Sequence, residues 1–247
     1  MAKTTPRLFV NSLLNDGAEF ALETEQGHYL AHVLRLVQGD AVALFNGADG
    51  EWLSYITAIT KKAVTVRVEK LAAQVQAPPD IDYVFAPLKH ARLDYMVQKA
   101  TELGARRLRP VMTQRTIAER VNLDRMKANA IEAAEQCNLV FVPEVLEPLP
   151  LAKLLAQWDP VRRLIYCDER ASIANPIEAL KTIKPPAAVL VGPEGGFTIE
   201  EREMLQRQNF VTAISLGPRI MRADTVAIAA LAVVQASIGD WSTPIKP

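Results

Sequence analysis

Ala187-Ala-Val-Leu-Val191 runs straight into Gly192-Pro-Glu-Gly-Gly-Phe197, and Thr198-Ile-Glu-Glu201 then opens a helix with the spacing of a capping box. A second unit repeats this grammar. Val211 to Leu216 is largely apolar, Gly217-Pro-Arg-Ile-Met-Arg222 follows, and Ala223-Asp-Thr225 leads into an alanine-rich helix that ends near Ser237. Strand, glycine-bearing loop and helix, twice in close succession, predict an α/β domain with ligand loops at the carboxyl ends of its strands. Glycine there lets a ligand touch the backbone. Neither loop is a phosphate cradle: Gly192, Gly195 and Gly196 do not follow G-x-G-x-x-G, and no P-loop lysine follows them. Glu194 would also repel a pyrophosphate, so a ligand with a cationic or neutral centre fits better.

Upstream the alternation continues. Asp82 to Leu88 reads as a strand, His90 to Leu103 as a helix closed by Gly104, and Leu108 to Met112 as a strand. Asn122 or Asp124 caps a helix reaching Gln136. Val161 to Cys167 is a further apolar strand, with a helix near Pro176 to Ile183 after it. The pattern breaks between Leu71 and Asp80, where Gln74, Gln76, Pro78 and Pro79 fall, and this sets a domain boundary: residues 1–76 and 77–247. Before the boundary, Ala41 to Phe45 meets the turn signal Asn46-Gly47, and Glu51 to Ile59 carries Trp52, Tyr55 and Ile56. Ala63 to Glu69 alternates Val64, Val66 and Val68 with Thr65 and Arg67. Three short strands in succession predict a small antiparallel barrel or meander, preceded by a helix over Glu25 to Leu36.

The chain has 247 residues, 49% of them hydrophobic, enough for one large core or two smaller ones. With 28 basic and 28 acidic side chains and no charged tail, it is not a highly charged disordered protein. Two cysteines cannot build a disulfide framework, and Cys137 and Cys167 read as small apolar fillers. His28, His32 and His90 have no zinc-site spacing, so no metal is expected. Met1 to Arg7 leads into no long apolar run, and Thr225 to Ile238 is too short for a membrane span; the chain reads as soluble and cytoplasmic. Residues 80–130 are the basic part, with Lys89, Arg92, Lys99, Arg106, Arg107, Arg109, Arg115 and Arg120. They form either a polyanion-binding surface or a solvated helix face.

Six segments carry a resemblance: Arg7-Leu-Phe9, His32-Val-Leu-Arg35, Lys99-Ala-Thr-Glu-Leu-Gly104, Glu132-Ala-Ala-Glu-Gln136, Gly192-Pro-Glu-Gly-Gly196 and Leu216-Gly-Pro-Arg-Ile-Met-Arg222. Spread over nearly the whole chain, they make it similar to the bacterial small-subunit (16S) ribosomal RNA uridine N3-methyltransferases of the SPOUT superfamily. The resemblance implies an α/β protein with an N-terminal PUA-like, RNA-binding β-barrel over 1–76. It implies a trefoil-knotted methyltransferase domain over 77–247. It also implies a homodimer, S-adenosylmethionine as cofactor in the knot loops, and ribosomal RNA or the small ribosomal subunit as partner. The chain departs from the family at Asp224, where glutamate is usual, at Val226, where alanine is usual, and after Gln136. An arginine and its RNA contact are expected there, whereas the chain reads Cys137-Asn138-Leu139.

Site residues follow from the same likeness. Arg222 ends the cofactor loop and is the catalytic candidate, a fixed cation to favour the uracil N3 anion; its alternative role is an ion pair with Asp224 or Glu194. Either of those acids could serve as base. The cofactor contacts implied are Leu190, Gly192, Glu194, Gly196, Leu216, Gly217, Ile220, Met221, Arg222 and Thr225. Arg7, Arg35, Lys89, Arg92 and Arg115 are the expected phosphate contacts. His32 reads as a packed or exposed barrel histidine, and Glu102 as a helix-end or dimer residue. Two other classes compete: a non-catalytic RNA-binding protein, against which both intact loops speak, and a small-molecule nucleotide enzyme, which leaves the N-terminal barrel without a purpose.

Overall fold

The computed structural model describes residues 5–89, 91–172 and 175–243. His90, with which the second helix was expected to begin, and Met1 to Thr4 of the N-terminal stretch lie outside the described residues. The chain divides into two compact units, residues 1–77 with 134–142, and residues 78–133 with 143–247.

The first unit contains β1 (Arg7–Phe9), β2 (Glu19–Ala21), α1 (Thr24–His28), β3 (Ala41–Phe45), β4 (Glu51–Ile59) and β5 (Val64–Ala73). They form one five-stranded sheet in the order β1-β3-β4-β5-β2. The β3–β4, β4–β5 and β5–β2 pairs are antiparallel, in line with the pattern of three successive strands. β1 differs by running parallel to β3. The segment between them includes β2 and α1, which is the long crossover that parallel pairing requires. Val64, Val66 and Val68 point into the core with Leu30, Val42, Leu44 and Ile56, while Arg67 faces out. The helix over Glu25 to Leu36 is shorter than expected. α1 passes into a single π-turn over Tyr29–Val33, and Leu36 N–H then closes on Leu30 O at 2.9 Å, with Arg35 in the left-handed region at φ 54°.

Residues 134–142 belong to this unit, and Arg7 fastens them. Its Nη1 donates to the carbonyls of Ala134 and Glu135, both at 2.8 Å, and its Nη2 to that of Leu139 at 3.1 Å. Its Nε donates to Glu51 Oε2 at 2.7 Å, and Phe9 N–H donates to Glu135 Oε1 at 2.8 Å. The expectation for Arg7 is therefore corrected: it is largely buried, and its N–H groups are spent on the fold rather than presented to phosphate. It also supplies a guanidinium to the very turn in which the Cys137-Asn138-Leu139 sequence lacks one.

The second unit contains β6 (Ile81–Phe85), α2 (Ala91–Glu102), β7 (Arg107–Met112) and α3 (Leu123–Gln136), whose last residues belong to the first unit. After these come β8 (Glu144–Val145), β9 (Leu149–Pro150), α4 (Leu151–Ala156), β10 (Arg163–Cys167) and α5 (Pro176–Leu180). β11 (Ala187–Val191), α6 (Ile199–Gln206), β12 (Val211–Ile214) and α7 (Ala223–Ile238) complete it. The sheet is parallel throughout, ordered β12-β10-β11-β6-β7-β8 with β9 beside β7. All five residues of β11 are buried, as a central parallel strand demands. Leu154 and Leu155 of α4 and Leu205 of α6 pack with Val84, Leu164 and Leu190 on one face; α7 packs with β11, α2 and α5 on the other. Gln235, fully buried in α7, donates through Nε2 to Leu103 O at 2.8 Å and so satisfies the end of α2. Among the described residues no helix is long and apolar enough to cross a membrane.

Two arginines of the basic segment turn inward. Fully buried Asp82 accepts from Arg107 Nη1 at 2.8 Å and Arg109 Nε at 2.5 Å. Asp80 accepts from Arg107 at 2.7 Å and from Arg162 Nη2 at 2.9 Å. Burial works to raise the Asp80 carboxyl, yet Arg162 and Arg107 hold it down to about 2. These charges serve the sheet rather than a polyanion.

Candidate active site

β10 lies between β11 and β12, so three strands end side by side. The loops that follow them converge on one cavity of about 750 Å³, a size suited to a cofactor. Gly192 begins the loop after β11, and the ring of Phe197 lies against it: a Cβ there would sit 2.5 Å from the ring. Gly217 begins the outer loop at φ 106°, a conformation open to glycine. The expected capping box is present, with Thr198 Oγ1 accepting from Glu201 N–H and Glu201 Oε2 accepting from Thr198 N–H.

Gly192, Glu194, Gly196, Leu216, Gly217, Ile220, Met221 and Arg222 all line the cavity. Two expected contacts do not. Leu190 is fully buried within β11, where it packs in the core and its backbone is paired on both sides, so it is a core residue. Thr225 is exposed on α7 and turns to its own neighbour, its N–H donating to Asp224 Oδ1 at 2.8 Å. Val226, one of the family departures, does line the cavity.

The loop after β10 adds a wall that sequence reasoning missed. Asp168, Glu169 and Arg170 face the cavity, and Asp168 is buried, accepting from Arg202 Nη2 at 2.8 Å and from Arg170 N–H at 3.0 Å. The one available signal was the strand Val161 to Cys167 ending in two acids. Burial raises the Tyr166 hydroxyl and pushes the neighbouring Cys167 thiol up to about 12, so these two side chains stay neutral beside the charged Asp168, Glu169 and Arg170.

Arg222 is the N-cap residue of α7, exposed, with φ −66° and ψ 153°. Neither competing ion pair forms: Glu194 pairs with Arg92, and Asp224 bonds Thr225. The guanidinium of Arg222 thus stands at the cavity without a protein partner among the described residues. Arg92 and Arg115 also line the cavity, the latter through a 2.7 Å bond from Nη1 to Gly195 O. Lys89 is exposed, and Arg35 is exposed in the first unit. His32 is exposed too, its ring 4.8 Å from that of His28, and Glu102 pairs with Lys99 at 2.7 Å at the end of α2.

Residues 75–235 match the model of an RNA methyltransferase domain, and residues 22–69 that of an RNA methyltransferase PUA domain. The chain is 31% identical to the ribosomal RNA small subunit methyltransferase E of Rickettsia conorii, covering 93% of this chain and 94% of that one. Among solved structures it resembles a Legionella pneumophila methyltransferase in complex with S-adenosylmethionine, with 29% identity, a TM-score of 0.83, and 96% and 99% of the two chains covered. The ribosomal RNA small subunit methyltransferase E of Neisseria gonorrhoeae, bound to the same cofactor, matches at 26% identity and a TM-score of 0.85, covering 97% of this chain and 100% of that one.

Proposed function

The chain belongs to the RNA methyltransferase family that carries a PUA domain, and from that membership we propose that it methylates N3 of a uridine in small-subunit (16S) ribosomal RNA, using S-adenosylmethionine. The observation that carries this reading is the cavity enclosed by the three loops after β10, β11 and β12, with the unpaired Arg222 at its edge.

The lining fits the cofactor. Leu216, Ile220, Met221 and Val226 offer apolar surface for an adenine ring, and the carboxylates of Asp168, Glu169 and Glu194, paired here with Arg202, Arg170 and Arg92, set negative charge around a molecule with a sulfonium and an ammonium. When bound, S-adenosylmethionine supplies an electrophilic methyl group. The protein has little covalent work to do, and positioning carries much of the rate. Uracil N3 is a weakly acidic imide, so its nucleophilic form is the anion. Arg222, with no carboxylate to neutralise it, is available to stabilise the charge that spreads onto the uracil carbonyl oxygens. Glu194 and Asp224 are engaged by Arg92 and Thr225, so neither is assigned as base.

Arg35, Lys89, Arg92 and Arg115 remain as phosphate contacts, with residues 1–76, joined by 134–142, acting as an RNA-binding barrel and the remainder of 77–247 as a trefoil-knotted catalytic domain. The reaction is placed in the cytoplasm. The protein acts as a homodimer: α7 carries only apolar side chains from Val226 to Val234, and Ala229, Ala232, Val233 and Ala236 leave it an apolar face that is not fully covered. Mass mapping of modified nucleosides tests the function, using small subunits from cells lacking this protein, incubated with the purified enzyme and labelled cofactor. The expected product is one 3-methyluridine; methylation at a ribose oxygen, or none, would overturn the reading.

A further inference from the structure

Glu201 does more than a capping residue needs to. A capping box uses one carboxylate oxygen to accept from the N-cap N–H, and Glu201 Oε2 does this for Thr198 at 2.9 Å. Its other oxygen, Oε1, accepts at 2.8 Å from the backbone N–H of Gln114, a residue of the loop that follows β7. Glu201 is only 4% exposed, and leaving either carboxylate oxygen unmet there would be costly. The next residue, Arg115, reaches back over the cofactor loop. Its Nη1 donates to Gly195 O at 2.7 Å, and its stem lies on Gly195, where an added Cβ would meet Arg115 Cβ and Cδ at 3.5 Å. The 113–116 turn is itself braced, Thr113 N–H donating to Thr116 Oγ1 at 2.9 Å. Two loops far apart in sequence are therefore riveted at two points, one through Glu201 and one through Arg115.

We propose that Glu201 is a positioning residue that couples cofactor binding to RNA binding, by holding Arg115 on the 192–196 loop. The inference rests on the reading of that loop as cofactor site and of Arg115 as phosphate contact. Arg115 has five N–H donors, and the bond to Gly195 leaves others for a phosphate. RNA that engages Arg115 then steadies the cofactor loop, and cofactor that orders the loop presets Arg115. Such coupling is reciprocal.

The test is the affinity of the full-length protein for labelled S-adenosylhomocysteine, which has no methyl group to transfer, measured by equilibrium dialysis. It is measured with and without saturating small subunits that lack the modification. Wild type is expected to bind at least ~5-fold more tightly with subunits present, the low end of typical coupling. Glu201→Gln keeps the shape but turns an amide N–H toward one of the two backbone N–H groups. It should bring the ratio close to unity while leaving affinity without subunits within a few-fold. Arg115→Ala, an exposed change that spares the helix cap, should also bring the ratio close to unity, and the double variant should reduce the ratio no further. Thr198→Ala, which removes the cap hydroxyl alone, should lower stability and preserve the ratio. Undiminished coupling in Glu201→Gln or in Arg115→Ala would overturn the proposal, as would a ratio of one in wild type. Failure of wild type to bind S-adenosylhomocysteine would instead overturn the methyltransferase reading beneath it.

Discussion

The ring of Phe197 stands edge-on to that of Tyr166, with centroids 5.2 Å apart and planes at 87°. This contact joins the loop after β11 to the end of β10, and it exists only because Gly192 has no side chain to occupy the same space. Gly192→Ala would put a Cβ 2.5 Å from the Phe197 ring, so the ring must leave and the loop must follow. Calorimetry should show S-adenosylmethionine affinity falling more than tenfold while far-ultraviolet circular dichroism stays unchanged. Retained affinity would mean that the loop tolerates the displaced ring and that the cavity wall is softer than its packing implies.

Arg222 offers a different separation, between holding the cofactor and performing the reaction. Arg222→Ala should leave cofactor affinity within a few-fold, because no hydrogen bond of the fold is lost with it. Turnover should drop by about 10²–10³, the usual cost of one such stabilising group. Arg222→Lys then asks whether a planar fork is needed or only a positive charge. Single-turnover kinetics on unmodified small subunits would measure both, and an unchanged rate in the alanine variant would remove Arg222 from the reaction.

The two loops carrying Gly192 and Gly217 were legible because glycine and proline follow apolar runs and a capping pattern follows the first. The Asp168 to Arg170 wall was not. It contains no glycine, and its place depends on β10 lying between β11 and β12, an order set by the sheet and not by any local signal. Arg7 was misread for a related reason. Its partners are the carbonyls of Ala134, Glu135 and Leu139, more than a hundred residues away, and a carbonyl acceptor leaves no mark on side-chain sequence. Arg107 and Arg109 look like surface cations until β6 and β7 pair and bring Asp82 between them. Local grammar recovered most strands and helices of each unit but not β1, β2, β8, β9 or the six-residue α4; which charges face inward was decided by pairing across the sheet.

That inward cluster gives a pH dependence with a definite sign. Asp80 has a folded value of about 2, below the ~3.9 of an unfolded aspartate, so the native state binds its proton less readily. The resulting stabilisation is complete above about pH 4 and is lost as pH falls toward 2. The Asp80 side chain is 30% exposed, so solvent screening trims the effect to roughly 1–2 kcal/mol. Urea unfolding at stepped pH should show this decline in wild type. Asp80→Asn should be less stable near neutrality and flatter between pH 4 and 2; an equally steep profile would assign the acid sensitivity to other carboxylates.

Arg35 allows RNA contact and folding to be pulled apart, because its backbone and its side chain want different things. At φ 54° it occupies a left-handed position where a side chain costs about 1–2 kcal/mol relative to glycine. The closure from Leu36 N–H to Leu30 O requires that geometry, while the exposed guanidinium contributes no bond to the cap. Arg35→Gly should therefore preserve or slightly raise the melting temperature. If the guanidinium contacts a phosphate, the same variant should bind the small subunit more weakly, and its salt slope should fall by roughly 0.7, the share of one single-strand phosphate contact. Deleting residues 1–76 would be a poorer test, since residues 134–142 belong to the same compact unit and would lose Arg7. Filter binding at stepped salt, set beside thermal melting, reads both effects in one variant. A stable Arg35→Gly protein with unaltered affinity and slope would show that the strained arginine serves something other than RNA, and the phosphate contacts would then reduce to Lys89, Arg92 and Arg115.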